Sequence, residues 1–146
     1  MKSVFLSLSV FFLMGSLSFA QSGVPSSGVG SKLKACPRSP NCVSSQASDP
    51  EHAIAPIVYT GNRAEAYARL KKVLMEMKRT TIVTEQEDYL HAEARSYIFR
   101  FVDDVEFYFP SAERVIHVRS ASRVGHSDLG VNRKRVEEIR KRFANP

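Results

Sequence analysis

Sequence signatures of the common enzyme classes are missing from this chain. Only two cysteines occur among its 146 residues, and their spacing is not the C-x-x-C that redox couples more often use. Neither a G-x-S-x-G nucleophile motif nor an H-E-x-x-H zinc motif is present. The chain also lacks internal repeats and a second domain. These absences exclude any assignment of a reaction by motif, so a functional site has to be argued from individual polar residues.

A hydrophobic run of membrane-spanning length is also missing. The apolar stretch after Met1 and Lys2 covers only about 14 residues, whereas a membrane-crossing helix needs about 20. It ends at Ser18-Phe19-Ala20, with small residues at the two positions that a signal peptidase reads. We therefore predict a signal peptide over residues 1–20 and an exported protein, periplasmic or secreted after cleavage near Ala20; an uncleaved anchor is the alternative. No cysteine ends the run, which argues against lipid attachment.

Large apolar residues are scarce from 21 to 35, where serine and glycine dominate. We interpret residues 21–35 as a flexible linker and residues 36–146 as a single globular domain with a modest core. Without residues 1–20 the chain loses one lysine and keeps 20 basic against 15 acidic residues, a net charge of +5. This balance favours anionic partners, although a solvated basic surface is the commoner explanation. No nucleic acid is expected as a partner, because no binding motif occurs and export would separate the two.

Cys36 and Cys42 enclose a short segment with two prolines and Asn41, which favour a turn. In an exported chain, two cysteines most simply pair with each other. We predict a Cys36–Cys42 disulfide, and closing so short a loop is worth about 2–2.5 kcal/mol in the chain-entropy model. Free or redox-active thiols are the alternative. A metal site would need further ligands, and His52 is the only candidate nearby.

Hydrophobic patterning predicts two helices and five extended segments. The first helix is expected to be capped by Asn62, and the last by Asp128 or Asn132. Short links between the extended segments favour antiparallel pairing. The predicted fold is α+β, a single antiparallel sheet of about four or five strands with both helices on one face, in the order β-α-β-β-β-β-α. The segments are a strand over 54–59, a helix over 63–79, strands over 80–86, 89–97, 103–109 and 114–120, and a helix from 129 or 132 to 143.

The strand predicted over 103–109 places an acid among apolar side chains. Val105 and Phe107 must face the core. Because alternate residues of a strand share a face, Asp103 is carried toward the buried side, while Asp104 faces the other way. A buried carboxylate needs a partner, since an unpaired buried charge is costly. The partners that we expect are Arg95, Arg119 and Arg123.

Three motifs in a fixed order carry a resemblance to a known family. They are Cys36-Pro37-x-Ser39-Pro40-Asn41-Cys42-Val43-Ser44-Ser45, then Phe101-Val102-Asp103-Asp104-Val105-Glu106, then Arg119-Ser120-Ala121-Ser122-Arg123-Val124-Gly125 with Ser127-Asp128-Leu129-Gly130-x-Asn132-x-x-Arg135. Together they resemble the uncharacterised family known as domain of unknown function 1499, and the resemblance covers Cys36 to Phe143. It implies kinship with bacterial envelope proteins and with relatives in photosynthetic organelles, but it supplies no established reaction or ligand.

The polar residues around the second and third motifs form the candidate ligand-binding site. Arginines supply fork-shaped donors, serines supply hydroxyls, and the loop before the last helix leads to a helix N-terminus, which favours anions. We therefore predict a binding or structural module of the cell envelope that holds an anionic small molecule or a lipid headgroup. The alternative is that the carboxylates already pair with the arginines and pin the loop to the sheet. The candidate residues are Arg95, Asp103, Asp104, Glu106, Arg119, Ser120, Ser122, Arg123, Ser127, Asp128, Asn132 and Arg133.

Two other classes of function stay open. A structural or interaction protein would use its surface, and the basic runs of the last helix, 133–135 and 140–142, would give it a peripheral membrane contact, although such runs are usually solvated faces. No metal and no cofactor is predicted, and the oligomeric state is left open. The other class is a hydrolytic or metal-dependent enzyme built on the region of Asp103, Asp104, Ser120 and Ser122, with Glu106, His91, His126 and Asp128 as further candidates.

Overall fold

The computed structural model describes residues 33–145, which form two helices and six strands. The predicted signal peptide lies outside the described residues, as does the predicted linker except for residues 33–35. None of the helices within this range is long and apolar enough to cross a membrane. In chain order the elements are β1 (Cys42–Ser44), β2 (Ile57–Val58), α1 (Arg63–Glu76), β3 (Thr80–Gln86), β4 (Tyr89–Arg95), β5 (Val102–Tyr108), β6 (Val115–Ser122) and α2 (Val131–Ala144).

The strands form one antiparallel sheet in the order β1-β6-β5-β4-β3. β2 also pairs with β6, so that β1 and β2 share one edge of that strand: Val43 lies opposite Ser120, and Ile57 lies opposite Ile116. The predicted α+β fold with a single antiparallel sheet is confirmed, with six strands in place of the four or five expected.

The amino-terminal strands differ most from the sequence-based prediction. The strand predicted over 54–59 is reduced to Ile57–Val58, because Pro56 has no N–H to donate to a strand ladder. The strand at Cys42–Ser44 was not predicted, since three residues next to a serine-rich stretch carry too little pattern. The four later strands agree with the prediction to within two residues at each end.

Both helices pack on one face of the sheet. Leu70 and Leu74 of α1 and Val136 and Ile139 of α2 are buried in one cluster with alternate residues of β5 and β6, among them Val105. The predicted alternation of β5 is therefore confirmed. The opposite face of the central strands carries polar side chains in place of a second apolar layer, and we call it the open face.

The ends of α1 follow from two local conformations. Asn62 caps the helix as predicted, because its Oδ1 accepts a hydrogen bond from the Glu65 N–H at 2.9 Å. The helix ends at Glu76 and does not reach the predicted residue 79. Arg79 has a φ of 57°, and this left-handed turn directs the chain into β3.

The segment before β1 is fixed by covalent and polar contacts. Cys36 and Cys42 form the predicted disulfide, and no cysteine within residues 33–145 is free. The alternatives of free thiols or a cysteine metal site therefore do not apply. Asn41 is buried, and its Nδ2 donates to the Gly125 carbonyl at 2.6 Å. The segment is thus joined to the loop between β6 and α2.

His52 ties this same segment to the loop that follows β1. Its Nε2 lies 3.1 Å from the Ser39 carbonyl, and its Nδ1 lies 2.7 Å from Asp49 Oδ1. Both contacts need a donor, so the protonated ring fits the site best. The Ser39 carbonyl and then the Asp49 carboxylate raise the pKa of His52 above its ordinary value.

We expect the free energy of unfolding to fall as the pH rises through the raised pKa of His52. A group whose pKa is raised by folding contributes its full stabilisation below the unfolded value of 6.5 and loses it as the pH rises through the folded value. Urea unfolding at mildly acidic and mildly basic pH measures the loss, which His52→Gln should largely remove. His117 acts in the opposite direction because burial lowers its pKa, so His117→Gln should enlarge the loss. The same pH dependence in wild type and His52→Gln would contradict this account.

Candidate functional site on the open face

The sheet divides the predicted site residues into two groups. Asp103 and Asp104 are neighbours in β5 but point to opposite faces, as predicted. Asp103 lies on the helix face, beneath α2, together with Ser120 and Ser122. The predicted site residues on the opposite face of the sheet are Asp104, Glu106, Arg119 and Arg123. The single cluster expected from the sequence is therefore two clusters with a sheet between them.

The helix-face group is a hydrogen-bonded network centred on Asn132, which is fully buried. Its Oδ1 accepts from the Ser120 hydroxyl and from Arg135. Its Nδ2 donates to the Asn41 carbonyl at 3.1 Å and to Ser122 Oγ at 3.0 Å. The amide therefore uses all of its donors and acceptors. We call this group the buried network, and it joins β6, α2 and the disulfide segment.

Asp103 belongs to the buried network through Arg135, whose guanidinium donates to its Oδ2 at 2.6 Å. The three partners predicted for Asp103 were wrong. Arg119 and Arg123 lie on the open face, so the strand that carries Asp103 separates it from them. The remaining candidate, Arg95, is exposed and pairs with Glu93 at 2.8 Å. The partner of Asp103 is therefore Arg135 of α2, and not one of the strand arginines that we predicted.

The open-face group surrounds a cavity of about 460 Å³, which we call the open-face pocket. Strands β4, β5 and β6 supply its floor, and the segment before Cys36 supplies one wall. The side chains of its floor alternate with buried apolar residues along each strand, which is why they converge on one face. The pocket is lined by Lys34, Tyr89, His91, Asp104, Glu106, Arg119 and Arg123.

Arg119 and Glu106 form the deepest ion pair of the pocket. Arg119 donates to Glu106 Oε2 at 2.7 Å, and the two side chains are only 12% and 11% exposed. The Tyr89 hydroxyl donates to the other carboxylate oxygen at 2.8 Å. Burial and then this hydrogen bond raise the pKa of Tyr89, so the phenol stays protonated. Arg119 Nε is buried and has no hydrogen-bond partner among the described residues.

Arg123 holds two carboxylates at the rim of the pocket. It donates to Asp104 through Nε and Nη2 at 2.9 and 2.7 Å, and Nη2 also donates to Glu93 at 2.6 Å. His91 Nε2 lies 2.7 Å from Asp104 Oδ1. The hydrogen bonds from Arg123, and for Asp104 also that from His91, hold the pKa of both carboxyl groups below the ordinary range. Asp104 is thus ionised at neutral pH and already engaged.

The remaining predicted residues lie outside the pocket. Asp128 accepts from the backbone N–H groups of Gly130 and Asn132 at 2.9 and 2.8 Å, so its carboxylate already occupies one N–H of the first turn of α2. Burial raises the pKa of Asp128, but these N–H groups lower it by more, and the net shift is downward. Both predicted caps are wrong: the N-cap residue is Gly130, with a φ of 77°, Asp128 lies two residues before it, and Asn132 lies inside the helix. The Ser127 hydroxyl accepts from Leu129 N–H at 3.3 Å.

Arg133 also lies outside the pocket. Its guanidinium donates to the carbonyls of Ala53 and Glu51, each at 2.8 Å. It thereby holds the loop before β2 against α2. Arg133 is bound within the molecule and is not directed at the open face.

The residues suggested for an enzyme do not share a cavity. Ser120 is fully buried in the network, and His91 lies on the opposite face of the sheet. Neither Ser120 nor Ser122, the two suggested nucleophiles, therefore contacts the His91–Asp104 pair. His126 is exposed in the loop before α2. Within residues 33–145, no three His, Cys, Asp or Glu side chains converge as metal ligands.

Several residues of these two clusters were missing from the sequence-based site. Tyr89 and Glu93 were not considered, although β4 alternates them with buried Leu90 and Ala92, a pattern that places them beside the acids of β5. Lys34 carried no signal, because it precedes the first motif and lay in the predicted linker. Its place in the pocket follows only from the path of the chain.

Comparison with known proteins identifies the family. A family model described as "Protein of unknown function (DUF1499)" matches residues 32–143, most of the 146-residue chain. The match includes every residue of the open-face pocket and of the buried network. No curated protein matches the sequence.

Proposed function

The chain belongs to the DUF1499 family of proteins of unknown function, and we propose that it is a binding module whose site is the open-face pocket. The ligand class that fits is a small molecule with a carboxylate or phosphate group. One observation carries this proposal: the nearly buried Arg119–Glu106 pair lies at the base of an open cavity of about 460 Å³. Ligand pockets combine such concavity with a few convergent polar groups.

The hydrogen bonds already formed in the pocket favour a ligand that accepts them. Glu106 is held by Arg119 and Tyr89, and Asp104 by Arg123 and His91. What remains is mainly donors, namely the exposed ammonium of Lys34 and the guanidinium edges that no carboxylate uses. Carboxylate and phosphate oxygens are the groups that such donors bind most strongly.

Charge further narrows the ligand class. Three cations and two carboxylates line the pocket, and Arg123 shares its charge with Glu93 outside the lining. The local field is therefore weakly positive and favours a single negative charge over a polyanion. We also propose that this binding takes place outside the cytoplasm, and the Cys36–Cys42 disulfide supports this, because disulfides persist in oxidising compartments.

Binding of small acids to wild type and to Lys34→Gln tests the proposal. Lys34 is exposed and belongs to no strand, so we expect its substitution to leave the described strands and ion pairs of the pocket in place. We expect at least one probe from a panel of monocarboxylates, dicarboxylates, inorganic phosphate and sulfate to raise the melting temperature and to give a titration in calorimetry. Loss of one charge-assisted hydrogen bond should weaken that probe about tenfold in Lys34→Gln.

Lys72→Gln is the matched control, since it removes the same charge from the exposed side of α1. Its affinity for the probe should equal that of wild type. Equal affinities of Lys34→Gln and Lys72→Gln, or no binding of any probe at millimolar concentration, would overturn the assignment of the pocket.

A further inference from the structure

Most of the exposed large apolar side chains of residues 33–145 lie at one end of the sheet. Seven of the ten are there, four in the loop between β4 and β5 and three around the start of α2. Tyr97, Ile98 and Phe99 are between 73% and 80% exposed, and Phe101 is 52% exposed. Isolated exposed apolar residues are ordinary, whereas a contiguous group marks an interaction site.

Strand pairing brings the two loops together. The loop 96–101 joins β4 to β5, and the loop 123–130 leaves β6 at the end of the strand that pairs with the start of β5. The Arg123 N–H donates to the Val102 carbonyl at 3.1 Å, which joins the two loops at their base. We call this surface the apolar end; besides loop 96–101 it includes Val124, Leu129 and Val131.

The apolar end is held in shape before any partner arrives. The Ser96 N–H donates to the Phe101 carbonyl, and the Phe101 N–H donates to Ser96 Oγ, both at 2.9 Å. The rings of Phe99 and Phe101 are stacked with centroids 5.5 Å apart, and the Arg79 guanidinium lies 5.5 Å from the centroid of Tyr97. The loop is closed on itself with its side chains directed outward, so binding requires little further ordering.

Three cations lie at the apolar end, and we call them the rim: Arg100 is in loop 96–101, and Lys78 and Lys134 line the same surface cavity as Val131. Lys78, Arg100 and Lys134 are exposed and form no ion pair with a described residue. Of the neighbouring carboxylates, Glu93 is paired with two arginines and Asp103 with one, while Asp128 of loop 123–130 is bound by two backbone N–H groups. The rim therefore keeps its positive charge beside the apolar side chains.

We propose that the apolar end inserts into the interfacial region of an anionic lipid membrane. Apolar and aromatic side chains flanked by Lys and Arg are the composition of interfacial anchors, because the former enter the headgroup boundary while the latter meet anionic lipids. Two of the three rim cations, Lys78 and Lys134, are lysines, and lysine is depleted at protein interfaces, which favours an anionic lipid surface over a protein partner. This inference goes beyond small-ligand binding and does not depend on it.

The basic last helix, which the sequence suggested for membrane contact, is mostly committed elsewhere. Arg133 and Arg140 donate to backbone carbonyls of the segment 51–56, and Arg135 donates to Asp103. Arg142 pairs with Glu138 at 2.6 Å. The unpaired cations of the apolar end are therefore a better match to anionic lipid than the arginines of α2.

Sedimentation with lipid vesicles tests the proposal. We expect the full domain to bind vesicles of an equal mixture of phosphatidylcholine and phosphatidylglycerol, and to bind phosphatidylcholine alone far more weakly. Ile98→Ser with Phe99→Ser should reduce the partition coefficient at least about thirtyfold, since two large apolar groups no longer insert. Lys78→Gln and Arg100→Gln should each reduce it about fivefold, and only on the anionic vesicles.

Val58→Ser with Met75→Ser is the matched control, because both residues are exposed apolar side chains, 71% and 69% exposed, away from this end. It should bind vesicles as wild type does, and circular dichroism should show the same fold for every variant. Absence of binding to anionic vesicles, or equal binding by the two serine double variants, would overturn the proposal. A third outcome would also overturn it: the protein binds no vesicles but self-associates as its concentration rises, and the Ile98→Ser and Phe99→Ser changes abolish that self-association. The surface would then be a protein interface.

Discussion

Arg135→Met is expected to lower the free energy of unfolding by about 3–5 kcal/mol. The Arg135 guanidinium donates to Asp103 at 2.6 Å, and the two side chains are only 12% and 8% exposed. Methionine keeps the aliphatic part of the side chain but leaves the Asp103 carboxylate buried without its cation. Ser120 and Asn132 each lose a donor as well. Denaturant unfolding of wild type and variant at neutral pH measures the loss.

Arg142→Met controls for the substitution itself. It lies on the same helix in an exposed i, i+4 pair with Glu138, and such pairs contribute about 1 kcal/mol or less. The double variant Asp103→Leu with Arg135→Met should recover part of the stability, because it removes both charges and refills the space with apolar atoms. An Arg135→Met protein as stable as Arg142→Met would show that the buried pair does not hold α2 to the sheet.

Asn132→Leu should destabilise the fold by about 3 kcal/mol, although leucine has nearly the same size. The change removes the acceptor for the buried Ser120 hydroxyl and for the Arg135 guanidinium, while the Asn41 carbonyl loses one of its two donors and keeps the Ser122 N–H. Each buried polar group left without a partner costs about 1–3 kcal/mol. The extra apolar atoms of leucine offset part of that cost, since they are themselves buried. Urea unfolding gives the difference directly.

Asn145→Leu is the comparison for this change. Asn145 is exposed, and within residues 33–145 its side chain makes one hydrogen bond, to the Lys141 carbonyl at 3.1 Å, so the free energy should change by about 0.5 kcal/mol or less. If Asn132→Leu is no more destabilising than Asn145→Leu, the buried network contributes little and Asn132 has another role.

Hydrophobic patterning was sufficient to predict the longer strands, in which buried and exposed residues alternate. β5 shows this well, because Val105 and Phe107 determine which face is buried and hence the direction of Asp103. The strand at Cys42–Ser44 shows the limit. Its three residues form a strand only because Val43 lies opposite Ser120, a partner far along the chain. Pairing of that kind is tertiary and leaves no local periodicity.

The site was harder to predict than the fold for a related reason. The third motif alternates along β6, so Ser120 and Ser122 face the helices while Arg119 faces the pocket. Because these residues are close in sequence, they were predicted to form one cluster. Successive residues of a strand point to opposite faces of the sheet, so they form two. Arg135 was overlooked as a partner of Asp103, because the orientation of α2 over the sheet cannot be read from the sequence alone.

Asp103→Asn and Asp104→Asn test the division into a buried network and an open site most directly. The same substitution at adjacent residues on opposite faces should give opposite results. We predict that Asp103→Asn costs about 3 kcal/mol of stability and leaves the affinity for small acids unchanged. Asp104→Asn should cost about 1 kcal/mol or less and tighten acid binding about fivefold, because it removes a negative charge from the pocket and leaves Arg123 paired with Glu93 alone. Equal effects of the two substitutions on both stability and affinity would contradict the account.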